Sequence, residues 1–135
     1  MQFAVYAIKR EITHHYYYKV DLLKRFFEEC HAFSDSIIYK KQLDYITSHF
    51  SYKEWLKKIH ENQKHLSDRI FDCEIIYDIL EGKNCCCLFQ CDSLWQAERV
   101  LFQPLRMCNQ SFFIIEESGE HYGWISPLIR QRLLS

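Results

Sequence analysis

The sequence predicts an α+β domain in which helices pack on a largely antiparallel sheet. Near the end of the chain, two runs rich in Phe, Ile, Tyr and Trp place large apolar groups on both of their faces, which is typical of paired, covered strands. In the first half of the chain, apolar residues recur every three to four positions, which is typical of amphipathic helices. The predicted order is strand, helices, two strands, helix and two strands, and this order favours an α+β arrangement.

The composition indicates a single compact domain that spans residues 1–135. A chain of 135 residues can bury a substantial core, and with only 3 Gly and 2 Pro it has few positions for linkers. Its formal net charge of −1 argues against a general nucleic-acid binder, because nonspecific DNA affinity comes mainly from neutralising phosphates. The first residues lack the pattern of a signal peptide, and no apolar run has the length of a membrane span. We therefore expect a soluble, cytoplasmic protein without membrane contact.

The first third of the chain predicts one strand and two helices. Residues 3–8 alternate weakly and predict the first strand. Residues 9–19 predict a short helix with Ile12 and Tyr16 on one face, and with His15 and Lys19 beside them. The next helix is the clearest in the chain. We expect it to bury a broad apolar stripe made of Leu22, Leu23, Phe26, Phe27, Cys30 and Phe33.

A Ser-Asp-Ser break at residues 34–36 caps the following helix, which is predicted from residue 37 to about residue 48. We expect this helix to bury Tyr39, Leu43 and Ile46. Its outward positions are predicted to be Lys40, Lys41, Asp44 and Thr47, and Gln42 and Tyr45 are expected at the rim of the apolar stripe.

Two independent signals mark the start of a fourth helix. Ser51 and Glu54 form a capping box, and Phe50 and Trp55 match a hydrophobic staple, so a helix is predicted from residue 52 to about residue 64. Its buried face is predicted to consist of Trp55, Leu56 and Ile59, and Leu66 could extend this face.

The second half of the chain predicts two hairpins separated by a helix. Residues 71–80 and 85–91 read as strands joined through residues 81–84. A capping box at residues 93–96 opens a helix with a face of Leu94, Ala97, Val100 and Leu101, and Pro104 should kink or end that helix at Gln103. Residues 111–116 and 121–127 form the second hairpin. In it, Gly119 supplies the positive φ of the turn, and Gly123 indicates a bulge or a close backbone approach.

Four cysteines lie close together in the sequence, at Cys85, Cys86, Cys87 and Cys91. Zinc sites usually combine two C-x₂₋₄-C pairs, and no second pair follows here. On a strand, Cys85, Cys87 and Cys91 would share one face and Cys86 would take the other. This spacing favours small buried apolar residues. A metal- or redox-responsive cluster is the alternative, and we predict no metal and no cofactor.

Motifs of catalysis are missing from the sequence. Glycine occurs only at positions 82, 119 and 123, so the sequence contains neither the glycine-rich motif of a phosphate-binding loop nor that of a dinucleotide-binding turn. We predict no catalytic residue.

The lysines of the fourth helix, from Lys53 to Lys64, could suggest a nucleic-acid stripe. Glu54 and Glu61 interrupt it, which favours a solvated helix face.

The aromatic excess near the N-terminus offers a further candidate. Tyr16, Tyr17 and Tyr18 lie close to Arg and His, a combination typical of protein–protein contact sites. The same tyrosines could equally line the edge of the core.

Three segments of the sequence are informative together, namely YAIKREITHHY at residues 6–16, KQLDYIT at residues 41–47 and YGWISP at residues 122–127. They resemble the SirA family, the sporulation inhibitors of replication of endospore-forming bacteria. The likeness extends over residues 97–107 and 112–115, and residues 50–91 match poorly. The resemblance implies a small, non-catalytic α/β protein that binds the N-terminal domain of the replication initiator DnaA.

The resemblance also implies which residues bind the partner. The family uses an aromatic pair one helical turn apart and a later glutamine, and these positions fall on Ile12, Tyr16 and Gln42. Tyr16 and Gln42 match in type, whereas Ile12 stands where the family has Phe. The rim of the expected patch consists of His15, Lys19, Lys41 and Tyr45. We expect a monomer that makes no direct contact with nucleic acid.

Overall fold

A five-stranded antiparallel sheet lies between two groups of helices in the computed structural model, which describes residues 1–62, 71–77 and 84–127. In chain order the elements are β1 (Gln2–Ile8), α1 (Arg10–Tyr16), α2 (Val20–Ala32), α3 (Ile37–Ile46), α4 (Tyr52–Asn62), β2 (Phe71–Tyr77), β3 (Asn84–Gln90), α5 (Leu94–Ala97), a π-helical turn (Glu98–Phe102), α6 (Gln103–Arg106), β4 (Ser111–Glu116) and β5 (Tyr122–Ile125). The strand order is β2-β3-β1-β4-β5, and each pairing is antiparallel. The predicted α+β class and both predicted hairpins are confirmed.

β1 is the middle strand, and its alternating side chains separate two cores. Val5 pairs with Cys87 of β3 on one side and with Ile114 of β4 on the other. Successive residues of a strand point to opposite faces. Phe3 and Val5 therefore contribute to the core under α4, α5 and α6, while the next residues along the strand contribute to the core under α1, α2 and α3. Because both faces of the sheet are covered, every residue of β4 is buried.

The core beneath α4 contains a tyrosine that periodicity did not single out. Tyr52, at the first position of α4, is fully buried, and its hydroxyl donates a hydrogen bond to the Val5 carbonyl oxygen at 3.1 Å. The predicted staple is confirmed, since the Phe50 and Trp55 rings pack with their centroids 6.4 Å apart. Leu56 packs against this core as expected. The side chains of Ile59 and Leu66, and the predicted end of the helix near residue 64, lie outside the described residues.

The core beneath α2 is built on stacked aromatic rings. Phe27 lies 4.0 Å from Tyr6 and 5.6 Å from Phe113, measured between ring centroids. The predicted stripe of α2 was too broad, because Leu22 is 49% exposed and Phe33 is 57% exposed. The six positions of that stripe cover a wider arc than the sheet can contact, and Leu22 faces α1 and α3 instead.

α3 lies at the margin of this core, and none of its residues is buried. Its N-cap follows the prediction, since the Ser36 hydroxyl accepts the Tyr39 N–H at 3.4 Å. Tyr39, Leu43 and Ile46 are half-buried rather than buried. Thr47 was predicted to face outward, and this is wrong. Thr47 is 4% exposed, and it forms a backbone bridge to Ile8 that draws the end of α3 toward the sheet.

The helical segment before β4 continues through its proline. Its N-cap was predicted correctly, because the Ser93 hydroxyl accepts the Gln96 N–H at 3.1 Å, although Leu94 is exposed rather than buried. Pro104 was predicted to kink or end the helix at Gln103; Gln103 has α-helical angles of −60° and −48°, so the helix does not end there. The π-helical turn directly precedes Pro104, and it shifts the hydrogen-bond register so that the Gln103 N–H donates to the Glu98 carbonyl oxygen.

The two glycines of the second hairpin differ in their role. Gly119 has a φ of 80°, and the predicted turn is confirmed. Gly123 pairs with Ile114 in an unbroken register, and no described heavy atom lies within 4 Å of the position a Cβ would take. The predicted bulge or close approach is therefore wrong. The φ of 153° explains the glycine instead, because this backbone conformation disfavours L side chains.

Candidate functional site

A groove with a volume of ≈ 440 Å³ lies where α1, α2 and α3 meet, and we call it the three-helix groove. It is lined by Ile12, Tyr16, Leu22, Leu23, Phe26, Lys41, Gln42, Tyr45 and Ile46. Five of the seven residues predicted for partner binding are among them, namely Ile12, Tyr16, Lys41, Gln42 and Tyr45. The fold thus places residues from distant parts of the sequence around one apolar concavity.

Backbone hydrogen bonds fix the end of the groove where α1 begins and α3 ends. The Lys9 N–H donates to the Ile46 carbonyl oxygen at 3.0 Å, and the Ser48 N–H donates to the Ala7 carbonyl oxygen at 2.8 Å. Thr13, which is 1% exposed, donates its hydroxyl to the Lys9 carbonyl oxygen at 3.2 Å. The two backbone bonds hold the start of α1 and the end of β1 against the end of α3, and the Thr13 bond stabilises the first turn of α1, so the groove is pre-formed at this end.

The exposure of the lining residues increases from the floor to the lip of the groove. Ile12 is 8% exposed and forms part of the floor. Tyr16 is half-buried and stands in the wall. Leu22, Gln42 and Tyr45 are exposed, and Tyr45 keeps 68% of its surface open. A docked partner would meet these exposed residues first and would reach Ile12 only at the bottom.

The remaining two predicted residues lie outside the lining. The ammonium group of Lys19 lies 5.3 Å from the centroid of the Tyr16 ring, and the Lys19 N–H donates to the Tyr16 carbonyl oxygen at 2.9 Å. Lys19 therefore flanks the groove through a cation–π contact. Lys9, which the sequence did not suggest, stands in the same way 5.2 Å from the ring of Tyr45. His15 is exposed on α1 and does not line the groove.

β5 supports the segment that connects α1 with α2. The indole N–H of Trp124 donates to the Tyr17 carbonyl oxygen at 2.9 Å, and the two rings stack with their centroids 5.7 Å apart. The Tyr122 hydroxyl donates to the Asp21 carboxylate at 2.6 Å, and this hydrogen bond raises the pKa of Tyr122. β5 thus holds the connecting segment at Tyr17 and the first turn of α2 at Asp21, a role that no local pattern in the sequence indicates.

A second groove, with a volume of ≈ 350 Å³, lies on the other side of α2 over β1, β3 and β4. The carboxylates among its lining residues belong to Glu28, Glu116 and Glu117, and we call it the acidic groove. The Glu116 carboxylate accepts hydrogen bonds from the hydroxyl and the backbone N–H of Ser118, and these bonds lower the pKa of Glu116. Glu116 therefore stabilises the β4–β5 turn as an ionised group.

The sheet divides the cysteines of the cluster that the structure describes, and the side chain of Cys85, with its predicted face, lies outside the described residues. Cys86 belongs to the core under α2, whereas Cys87 and Cys91 belong to the opposite core. Burial raises the pKa of the Cys91 thiol to about 11, so that it stays protonated. Across residues 1–62, 71–77 and 84–127, no three His, Cys, Asp or Glu side chains come together in a way that could hold a metal ion.

The lysines of α4 lie on the far side of the sheet from the three-helix groove. Lys53, Lys57 and Lys58 are exposed, as expected for a solvated face, and Lys64 lies outside the described residues. None of the helices in the described parts of the chain has the length and apolar character that a membrane span needs.

Comparison with known proteins connects this fold with one family. The family model described as "Sporulation inhibitor of replication protein SirA" matches residues 1–129. No curated protein matches the chain.

Proposed function

The chain belongs to the SirA family of sporulation inhibitors of replication, and on this premise we propose that it binds the N-terminal domain of the replication initiator DnaA through the three-helix groove. The observation that carries the proposal is the meeting of Ile12, Tyr16 and Gln42 in one groove. The resemblance assigns partner binding to these three positions, and they come from two helices with the whole of α2 between them in the chain.

The chemistry of the groove supports protein binding. Its floor is apolar, its wall carries an aromatic ring at Tyr16, and its lip exposes Tyr45 and Leu22. Exposed aromatic residues around an apolar concavity are typical of the residues that dominate protein–protein affinity. Gln42 adds a side-chain amide at the lip, which can both donate and accept hydrogen bonds.

The mechanism that follows is occlusion without chemistry on the partner. The inhibitor covers a surface that DnaA uses for self-association or for other regulators, and initiation is restrained for as long as the complex lasts. An interface of standard size or smaller suffices for this. The protein then works as a monomer, without a cofactor and without direct contact with DNA, in the cytoplasm where replication is initiated.

Titration calorimetry against the DnaA N-terminal domain of the same organism tests the proposal. Tyr16→Ala should weaken binding by about 2 kcal/mol, because truncating a central aromatic residue removes the contact and opens the groove to water. Tyr18→Ala is the matched control, since Tyr18 is 94% exposed, close to Tyr16 and outside the groove lining. It should change the affinity by less than about twofold.

The outcomes separate the partner from the surface. If the unmodified protein failed to bind the DnaA domain, the proposed partner would be wrong. If it bound, and Tyr16→Ala and Tyr18→Ala both left the affinity within about twofold, the partner would stand and the groove would be refuted as its binding surface.

A further inference from the structure

The charges around the three-helix groove are of one sign. Lys41 is the charged residue among the nine that line it, and no carboxylate belongs to that set. Lys9 and Lys19 extend the positive charge, because their ammonium groups rest over the rings of Tyr45 and Tyr16. These three cations come from different parts of the fold and surround the apolar lip.

The carboxylates of the neighbouring elements do not line the three-helix groove. Asp21 accepts a hydrogen bond from the Tyr122 hydroxyl at 2.6 Å. Asp44 has one carboxylate oxygen buried within the protein. Glu11 is exposed on α1 but does not line the groove. Among the described residues, no ion pair joins Lys9, Lys19 or Lys41 to a carboxylate.

The positive charge of the groove is a local property. The chain as a whole has a formal net charge of −1. On the other side of α2, the acidic groove carries the carboxylates of Glu28, Glu116 and Glu117. On that side Lys24 forms an ion pair with Glu28 at 3.5 Å, which leaves Glu116 and Glu117 as the further carboxylates. The three-helix groove differs, because its lining contains a lysine and no carboxylate.

We propose that the three-helix groove selects an acidic surface on its partner, from which one large apolar side chain enters between Tyr16, Leu22 and Tyr45 while flanking carboxylates meet the three lysines. This inference rests on the proposed function and defines the partner surface it requires. A volume of ≈ 440 Å³ suits one or two inserted side chains rather than a whole helix. Charge complementarity of this kind steers association and rejects partners with basic surfaces.

The test measures how salt and charge reversal change the affinity for the DnaA N-terminal domain. Calorimetric titrations are run at about 50 mM and about 300 mM NaCl, which shortens the Debye length by a factor of about 2.5. The variants are Lys41→Glu and Lys19→Glu, with Lys41→Arg as a charge-preserving variant. Lys57→Glu is the matched control, because Lys57 is equally exposed but lies on the opposite side of the sheet.

The proposal expects affinity to fall with salt. Lys41→Glu and Lys19→Glu should each weaken binding about fivefold or more at low salt and flatten the salt dependence. Lys41→Arg should retain more affinity than Lys41→Glu because it keeps the positive charge, and Lys57→Glu should stay within about twofold. Binding that is insensitive to salt and to both charge reversals would overturn the acidic surface while leaving DnaA as the partner. Absence of binding by the unmodified protein would overturn the proposed function and this inference with it.

Sedimentation of the unmodified protein alone completes the test. The acidic groove of a second copy is the competing occupant, since it carries the complementary charge. A dimer that forms with rising concentration and is lost in Lys41→Glu would identify a second copy in the groove and overturn the proposal. A single monomeric species would support it.

Discussion

Replacement of Trp124 should loosen the segment that follows Tyr16 while leaving the groove lining itself unchanged. Trp124→Phe removes the indole N–H that donates to the Tyr17 carbonyl oxygen at 2.9 Å and keeps an aromatic ring for stacking. A hydrogen bond at an exposed site contributes about 0.5–1.5 kcal/mol. Trp124→Ala also removes the ring contacts with Tyr17 and Phe113, which raises the expected loss to about 2–4 kcal/mol for this half-buried residue.

These losses are measurable as shifts of the melting temperature. For 135 residues, the entropy of unfolding is about 0.28 kcal/mol/K, so each 1 kcal/mol lowers the melting temperature by about 3.5 °C. Thermal unfolding followed by circular dichroism should therefore show a decrease of about 2–5 °C for Trp124→Phe and about 7–14 °C for Trp124→Ala. Trp95→Phe is the control, since Trp95 is 67% exposed, and a surface substitution of this kind should shift the melting temperature by less than about 2 °C.

The affinities of the same variants for the DnaA domain show whether the contact of Trp124 with Tyr17 contributes to binding in the three-helix groove. Trp124→Phe should also weaken the complex with the DnaA domain, because the chain after Tyr16 gains freedom that docking must remove. A Trp124→Phe protein with unchanged melting temperature and unchanged affinity would refute the reasoning. If the Trp124→Phe protein lost stability but kept its full affinity for the DnaA domain, Trp124 would contribute to the stability of the fold and not to binding.

Three further predictions concern single residues. Gly123→Ala should destabilise the fold by about 1–3 kcal/mol through backbone strain alone, because φ is 153° there and the space is open. Urea unfolding measures this loss, and unchanged stability would contradict it. Hydrogen bonds from Ser118 hold the pKa of Glu116 in the folded protein below its ordinary 4.5. The ionised carboxylate therefore stabilises the fold fully above pH 4.5, and this stabilisation is lost as the pH falls through the lower pKa of the folded state. Melting temperatures measured from about pH 3 to pH 6 should therefore fall more steeply toward acid in the natural protein than in Glu116→Gln. Because burial raises the pKa of Cys91 to about 11, iodoacetamide at about pH 8 should alkylate this thiol far more slowly in the folded protein than in urea, and peptide mapping that found equal rates would refute this.

Local signals predicted the elements well where one residue type sets the backbone. Ser36 and Ser93 cap their helices as expected, and Gly119 takes the positive φ of its turn. In each case the residue that sets the backbone conformation lies within a few positions of the cap or turn that it forms. Pro104 shows the limit of such reasoning, because a π-helical turn upstream accommodates the ring and the helix continues.

The residues that line the candidate groove were predictable in part because helical spacing is a local property. The spacing of Ile12 and Tyr16 placed both on one face of α1, and the family resemblance added Gln42. Periodicity predicted that Leu22 is buried in the core. The pattern shows which residues share a face of a helix, but it does not show which neighbouring element packs on each part of that face. Only the packing of α1 and α3 beside α2 exposes Leu22 in the groove. Lys9 was missed for the same reason, because its partner Tyr45 lies far along the chain.

The central position of β1 makes the groove depend on strands that are synthesised much later than β1. β1 pairs with β3 and β4, so the first strand leaves the ribosome long before residues 84–90 and 111–116 can complete the sheet around it. α1, α2 and α3 emerge early but have no finished surface to pack on until then. At roughly 5–20 residues per second, this interval lasts on the order of ten seconds. We therefore expect a truncated or unfinished chain to lack the groove altogether, so that inhibitory activity appears only in chains whose synthesis has passed β5.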